Sequence, residues 1–182
     1  MITQERKGEI VRLLINHGAD VTAQDKTHST PLHMASCEVN TEIVQLLIEH
    51  GADVTVKNEA CSTPLHLASS WVSATAASCL LHCSADTNAQ EDSSTYYNVP
   101  KHEWIILKTR TVRLLIKYGA DVNARNEAQS TPLHLASSCA STETVHLLIE
   151  HGANVTALDG SHRTPLHLAS SCVSSTTMSL LI

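Results

Sequence analysis

Apolar residues recur along this chain in two alternating groupings, a short one and a longer one. The short grouping is Leu32, Met34 and Ala35, placed directly after Thr30-Pro31. It predicts a short helix, because a threonine hydroxyl can cap orphan backbone N–H groups and a proline suits the first helical position. The longer grouping is Ile43, Val44, Leu46, Leu47 and Ile48, whose spacing lines one face of a second helix. Asn40, and later Ser141, stand where such a helix is capped. Gly51, Gly119 and Gly152 follow the longer groupings and end the helix in the left-handed conformation that glycine adopts at little cost.

The pattern repeats. Thr30-Pro31-Leu32-His33 returns unchanged at Thr63 to His66, Thr131 to His134 and Thr164 to His167, at intervals of 33, 68 and 33. A second marker begins at Leu13 and recurs at Leu46, Cys79, Leu114 and Leu147, in steps of 33, 33, 35 and 33. Between the two middle markers Val99-Pro100-Lys101-His102 keeps only Pro and His of the first motif. A last LLI, Leu180 to Ile182, closes the chain.

A period of 33 with four in-register copies of T-P-L-H resembles the ankyrin repeat, and the resemblance runs over the whole chain. It implies an all-α fold, an ankyrin-type helix-turn-helix solenoid with protruding loops. The expected organisation is a single ankyrin repeat domain, 1–182. It divides into a partial unit 1–24, repeats 25–57 and 58–90, a degenerate repeat 91–125, a repeat 126–158 and a partial unit 159–182. The half-units carry no polar caps of the kind that usually finish a solenoid, so a piece of a longer array, or an imprecisely bounded product, is the expectation. In 91–125 no Gly or Pro interrupts 101–117, which predicts one longer or displaced helix there, after a polar loop over 92–98. Trp104 falls in the register of Ala35, Ala68, Ala136 and Ala169, where an indole would overpack.

The family usually places glycine two residues before the motif threonine and again between the two helices. Here those positions hold His28, Cys61, Gln129 and His162, then Val39, Val72, Ala140 and Val173. A non-glycine residue held at positive φ costs about 1 kcal/mol, so stability below that of an idealised array is expected.

Composition narrows the function. Of 182 residues, 42% are apolar, only 3% are aromatic, and phenylalanine is absent, so the core must be built from Leu, Ile, Val and Ala. The net charge of −6 argues against a nucleic-acid partner held by phosphate contacts. No run approaches the roughly 20 apolar residues that span a bilayer, and the start lacks the apolar stretch of a signal peptide. The expectation is a cytoplasmic protein, with the nucleus left open, and six free thiols.

Twelve histidines invite a metal or catalytic reading. By the resemblance, His33, His66, His102, His134 and His167 are structural residues tying neighbouring loops together. His17, His50 and His151 precede the helix-ending glycines, where a cation suits the helix dipole. Cys79, His82 and Cys83 are the best metal candidates, but Cys79 occupies the apolar place of Leu46 and Leu147, so a buried thiol is the better reading. There is no GxSxG turn and no glycine-rich phosphate loop. No catalytic, cofactor-binding or metal residue is assigned, no cofactor is expected, and the chain reads as a non-enzyme without a small-molecule substrate.

The resemblance implies a scaffold that binds a protein partner through its concave face and loops, within a larger regulatory or adaptor protein. Carried over position by position, that surface comprises Lys26, Thr27, Ser29, Cys37 and Glu38, then Glu59, Ser62, Ser70 and Trp71. It continues with Glu127, Ser130, Ser138 and Cys139, then Ser161, Arg163, Ser171 and Cys172. Trp71 stands out, because tryptophan is enriched at interface hot spots. The alternatives are an architectural spacer with no dedicated ligand and, last, a metal-dependent enzyme. Leu115, Asp121, Val122 and Asn123 also resemble the ankyrin pattern accepted by asparagine hydroxylases.

Overall fold

The computed structural model describes residues 4–70, 101–139 and 141–171. They form helices joined by turns, with no strand among them. The helices are α1 (Gln4–Asn16), α2 (Pro31–Cys37), α3 (Thr41–Glu49), α4 (Pro64–Ser69), α5 (Lys101–Lys117), α6 (Pro132–Ser138), α7 (Thr142–Glu150) and α8 (Pro165–Ser171).

Local chemistry sets the ends of these helices. Thr30, Thr63 and Thr131 hold extended backbone just before the proline that opens α2, α4 and α6. Asn40 caps α3, its side chain accepting from the Ile43 N–H at 3.3 Å. The φ of Gly51 is +92°, and each helix-ending glycine adopts the same left-handed conformation. His17, His50 and His151 turn Nδ1 onto the carbonyls of Leu13, Leu46 and Leu147, each at 2.8 Å, adding a side-chain bond to the backbone N–H bond that each carbonyl already accepts.

The helices pack in two columns. The short helices stack α2, α4, α6, α8, and the longer ones stack α1, α3, α5, α7; across the columns α2 pairs with α3, α4 with α5, and α6 with α7. Leu32, Leu65 and Leu133 of the short column meet Val44, Leu115 and Leu148 of the long one, all fully buried. Burying each leucine is worth about 2 kcal/mol, and with so few aromatics this aliphatic seam is the main apolar cohesion between layers.

The pairing of α4 with α5 departs from the organisation read in the sequence. Repeats 58–90 and 91–125 were expected to be separate layers. Instead α5 packs against α4 and lies between α3 and α7, while α4 meets α6 directly, with no short helix between them among the described residues. Three hydrogen bonds fix that contact. His66 reaches the Ser130 carbonyl, the Glu127 N–H donates to the Ala60 carbonyl at 2.9 Å, and Lys57 Nζ reaches the Arg125 carbonyl at 3.2 Å. Among the described residues there are therefore three complete helix pairs. The 101–117 stretch is the single long helix its uninterrupted sequence predicts. Trp104 consequently sits half-buried in the long-helix column, not in the register of Ala35, and His102 belongs to that column as well. The expected loop over 92–98 lies outside the described residues.

The missing glycines leave their mark. His28, Cys61, Gln129 and His162 all adopt φ between 54° and 59°, and Val39 is held at 56° while 1% exposed. Each turn keeps its shape without glycine because a carboxylate or amide anchors it. Asp25 Oδ1 accepts from the Thr27 N–H, the Thr27 hydroxyl and the Ser29 N–H at 2.7 to 2.9 Å, and Asp159 does the same for Ser161 and Arg163. Val72, Ala140 and Val173 lie outside the described residues.

Candidate functional site

The turns before the short helices form a continuous ridge. The Glu59 N–H donates to the Thr27 carbonyl at 2.8 Å, Glu127 to Ala60 at 2.9 Å and Gly160 to Ala128 at 2.9 Å, so each turn is bonded to the one before it. A second set of bonds lies beneath. The Thr30 N–H donates to His33 Nδ1 at 3.1 Å, which makes Nδ1 the unprotonated nitrogen. Nε2 then carries the hydrogen and donates to the Ser62 carbonyl at 3.0 Å. His66 repeats this between Thr63 and Ser130, and His134 between Thr131 and Arg163, with the same 3.0 Å to the carbonyl.

This role requires a neutral ring, and burial supplies one. Desolvation pulls the His66 ring down from 6.5 to about 4, outweighing the Ser130 carbonyl bond that favours the charged form. His33 and His134 are lowered for the same reason. Burial pushes the Asp25 carboxyl up, but the Thr27 hydroxyl and the Ser29 and Thr27 N–H bonds together leave it below its ordinary value.

Against this ridge the sequence-derived surface residues separate into two groups. Lys26, Glu59, Glu127, Ser161 and Arg163 are exposed along the turns. Ser138 and Ser171 are exposed at the ends of α6 and α8, and Glu38, Ser70 and Cys139 are partly so. Thr27, Ser29, Ser62 and Ser130 are not surface residues: each is buried. The same Asx-type bonds that hold the turns draw these small hydroxyl residues inward, and the carbonyls of Ser62 and Ser130 are the histidine acceptors. Cys37 is buried and disulfide-bonded, while Cys61 and Cys139 are free. This corrects the expectation of six free thiols; the other half of the Cys37 bridge lies outside the described residues. Trp71 and Cys172 lie outside them too.

Charge on the exposed set is mixed. Arg163 pairs with Asp159 at 2.9 Å and Glu38 with Lys7 at 3.4 Å, whereas Lys26, Glu59 and Glu127 take no part in an ion pair among the described residues. Asn123 is engaged on both sides, with Nδ2 on the Gly152 carbonyl at 3.0 Å and Oδ1 accepting from the Asn154 N–H at 2.8 Å. Among the described residues no group of three His, Cys, Asp or Glu side chains is placed to hold a metal ion, and Cys79, His82 and Cys83 fall outside them. No helix among the described residues is long and apolar enough to cross a membrane.

One buried cation escaped the sequence reading. Lys108 is 7% exposed in the middle of α5, where α3 and α7 are already capped by Asn40 and Ser141. Burial draws its amine from 10.5 to about 8, with Cys139 opposing only in part. The signal was present as a lysine in the register of two helix caps, and α5, which starts eight residues before the register of α3 and α7, places it inside a helix.

A family model described as ankyrin repeats (3 copies) matches residues 1–91 and 105–182. No curated protein matches the chain.

Proposed function

Because the chain belongs to the ankyrin repeat family, whose repeats are generally protein–protein interaction modules, we propose that this array recognises a protein partner along its ridge of turns and the adjoining concave face. The observation that carries the reading is the bonded ridge itself. Consecutive turns are locked to one another by backbone bonds while Lys26, Glu59 and Glu127 are exposed, without an ion-pair partner among the described residues. A row of charges on a preorganised backbone loses little entropy on binding, the condition under which few contacts give useful affinity. The alternation of one cation with two carboxylates suits a partner segment of mixed charge and disfavours a polyanion. A cytoplasmic scaffold within a larger regulatory or adaptor protein fits this role.

The test compares affinity capture by the parent with capture by Lys26→Glu/Glu127→Lys and by a control changed on the long-helix column, Gln45→Ala. Recognition through the ridge predicts that proteins retained by parent and control are lost from the charge-reversed variant. Retention of one identical set by all three would leave the array as a spacer without a dedicated ligand.

A further inference from the structure

Neighbouring long helices meet along grooves between layers, and two of these grooves differ although they carry the same charged residues. Between α1 and α3 the groove is closed by an ion pair. Arg12 of α1 stands 3.9 Å from the Glu42 carboxylate of α3. That carboxylate can lie against α1 because Gly8 has no side chain: one of its oxygens is 2.8 Å from where a Cβ would stand.

The same pair of residues recurs between α5 and α7. With Leu13, Leu46, Leu114 and Leu147 as the common position, Arg113 corresponds to Arg12 and Glu143 to Glu42. The place of Gly8, however, is taken by Thr109. A carboxylate lying as Glu42 does would come closer to the Thr109 Cβ than nonbonded atoms approach, so Glu143 cannot settle onto α5 in the same way. Arg113 and Glu143 are both exposed, neither is in an ion pair among the described residues, and both line a cavity of about 310 Å³ that Leu147 also lines. The other carboxylate on this cavity, Glu150, is already paired with His146 at 3.1 Å.

We propose that the groove between α5 and α7 is a second recognition surface, separate from the ridge of turns, and that it takes an extended peptide segment whose acidic side chain meets Arg113 and whose basic side chain meets Glu143. One wall offers a cation and the other a carboxylate, so a segment carrying charge of a single sign leaves one wall unmatched. Exposed charge pairs each contribute little, which favours a peptide over a free zwitterion, because the longer chain adds contacts along the groove. Residues two apart in an extended chain point to the same side. An acidic and a basic residue with one residue between them therefore bring both charges to the groove together.

Amide resonances of the nitrogen-labelled full chain, followed as acetyl-Glu-Ala-Lys-amide is added to tens of millimolar, test this. Saturable shifts should gather on Thr109, Arg113, Thr142 and Glu143, and the uncharged acetyl-Gln-Ala-Gln-amide should move none of them. Arg113→Gln and Glu143→Gln should each weaken binding by about two- to fivefold, the loss of one exposed charge pair. Thr109→Gly keeps both charges but lets Glu143 settle onto α5 beside Arg113, and should abolish the shifts. Thr109→Ala retains a Cβ and should leave them intact. Circular dichroism checks that both variants fold, and if Thr109→Gly does not, the two Gln variants decide. A peptide that moves no resonance would overturn the proposal. So would shifts that gather on the ridge of turns, or equal binding by the parent and both Gln variants.

Discussion

His66 and Ser130 are 64 residues apart in the chain, yet the imidazole Nε2 of one donates to the backbone carbonyl of the other at 3.0 Å. The matching bonds of His33 and His134 each span 29 residues with the same length. The bond geometry is indifferent to the extra chain between the partners.

His66→Ala should lower unfolding free energy by about 3 kcal/mol, since it leaves the buried Thr63 N–H and the Ser130 carbonyl without partners. His167→Ala, on an exposed ring, should change monomer stability by less than about 0.5 kcal/mol. Denaturant unfolding of the two variants checks the contrast; equal losses would contradict the bridging role.

Acid should unfold the array well above the carboxylate range. In the unfolded chain the His66 ring binds a proton near pH 6.5, in the folded one only near 4, so between these values the unfolded state holds more protons. The stability is fully present above pH 6.5 and is lost as pH falls toward 4, a contribution of order 3 kcal/mol for this ring. His33 and His134 act in the same direction, and Asp25 and Asp159, both lowered, add to the loss at still lower pH. Melting temperature measured from pH 8 to pH 4 should fall steeply below 6.5; a flat profile down to pH 5 would refute this.

Lys108→Met should stabilise the protein at pH 7, by about 1 to 3 kcal/mol, because it removes a buried ammonium that no carboxylate partners among the described residues. The gain should shrink as pH rises. The parent's folded amine is neutral above about pH 8 while its unfolded amine stays charged up to 10.5, so the parent itself gains stability in that window. Chemical denaturation at pH 7 and pH 10 provides both values.

Ser36, Ser69 and Ser137 occupy equivalent places in α2, α4 and α6, are fully buried, and have hydroxyls without a hydrogen-bond partner among the described residues. Replacing them with alanine removes an unmatched polar group from the interior and improves helix propensity. Each change should raise stability by about 1 kcal/mol, and thermal melts of the single and triple variants should show the increments adding. A loss on substitution would mean that these hydroxyls are solvated in the native state.

Backbone strain gives an opposed pair. Gln129→Gly relieves a non-glycine residue at φ 57° on an exposed turn and should stabilise by about 1 kcal/mol. Val39→Gly relieves the same strain at φ 56° but removes a side chain 1% exposed, and the lost burial, about 2 kcal/mol, wins. Stabilisation by both would show that Val39 contributes little to packing.

Much of this was legible in the chain alone. Thr-Pro before a short apolar run fixes a helix start through φ and capping, and a recurring Gly fixes a helix end, so α2, α3, α6 and α7 follow from local chemistry. The positive φ of His28, Cys61, Gln129 and His162 was readable because the turn demands that conformation whatever residue occupies it. Layer membership was not readable. Which short helix pairs with α5 depends on contacts between residues far apart in sequence, and a count of residues between motifs cannot distinguish a decayed layer from added chain within one. Surface and interior were likewise decided by the fold. Thr27, Ser29, Ser62 and Ser130 look like solvent-facing turn residues as a list, and become buried because the anchoring carboxylates and amides turn their backbones inward and the next layer closes over them. Lys108 makes the same point: nothing in its immediate neighbours marks it as buried, and only the packing of α5 against α3, α4 and α7 takes its amine out of water.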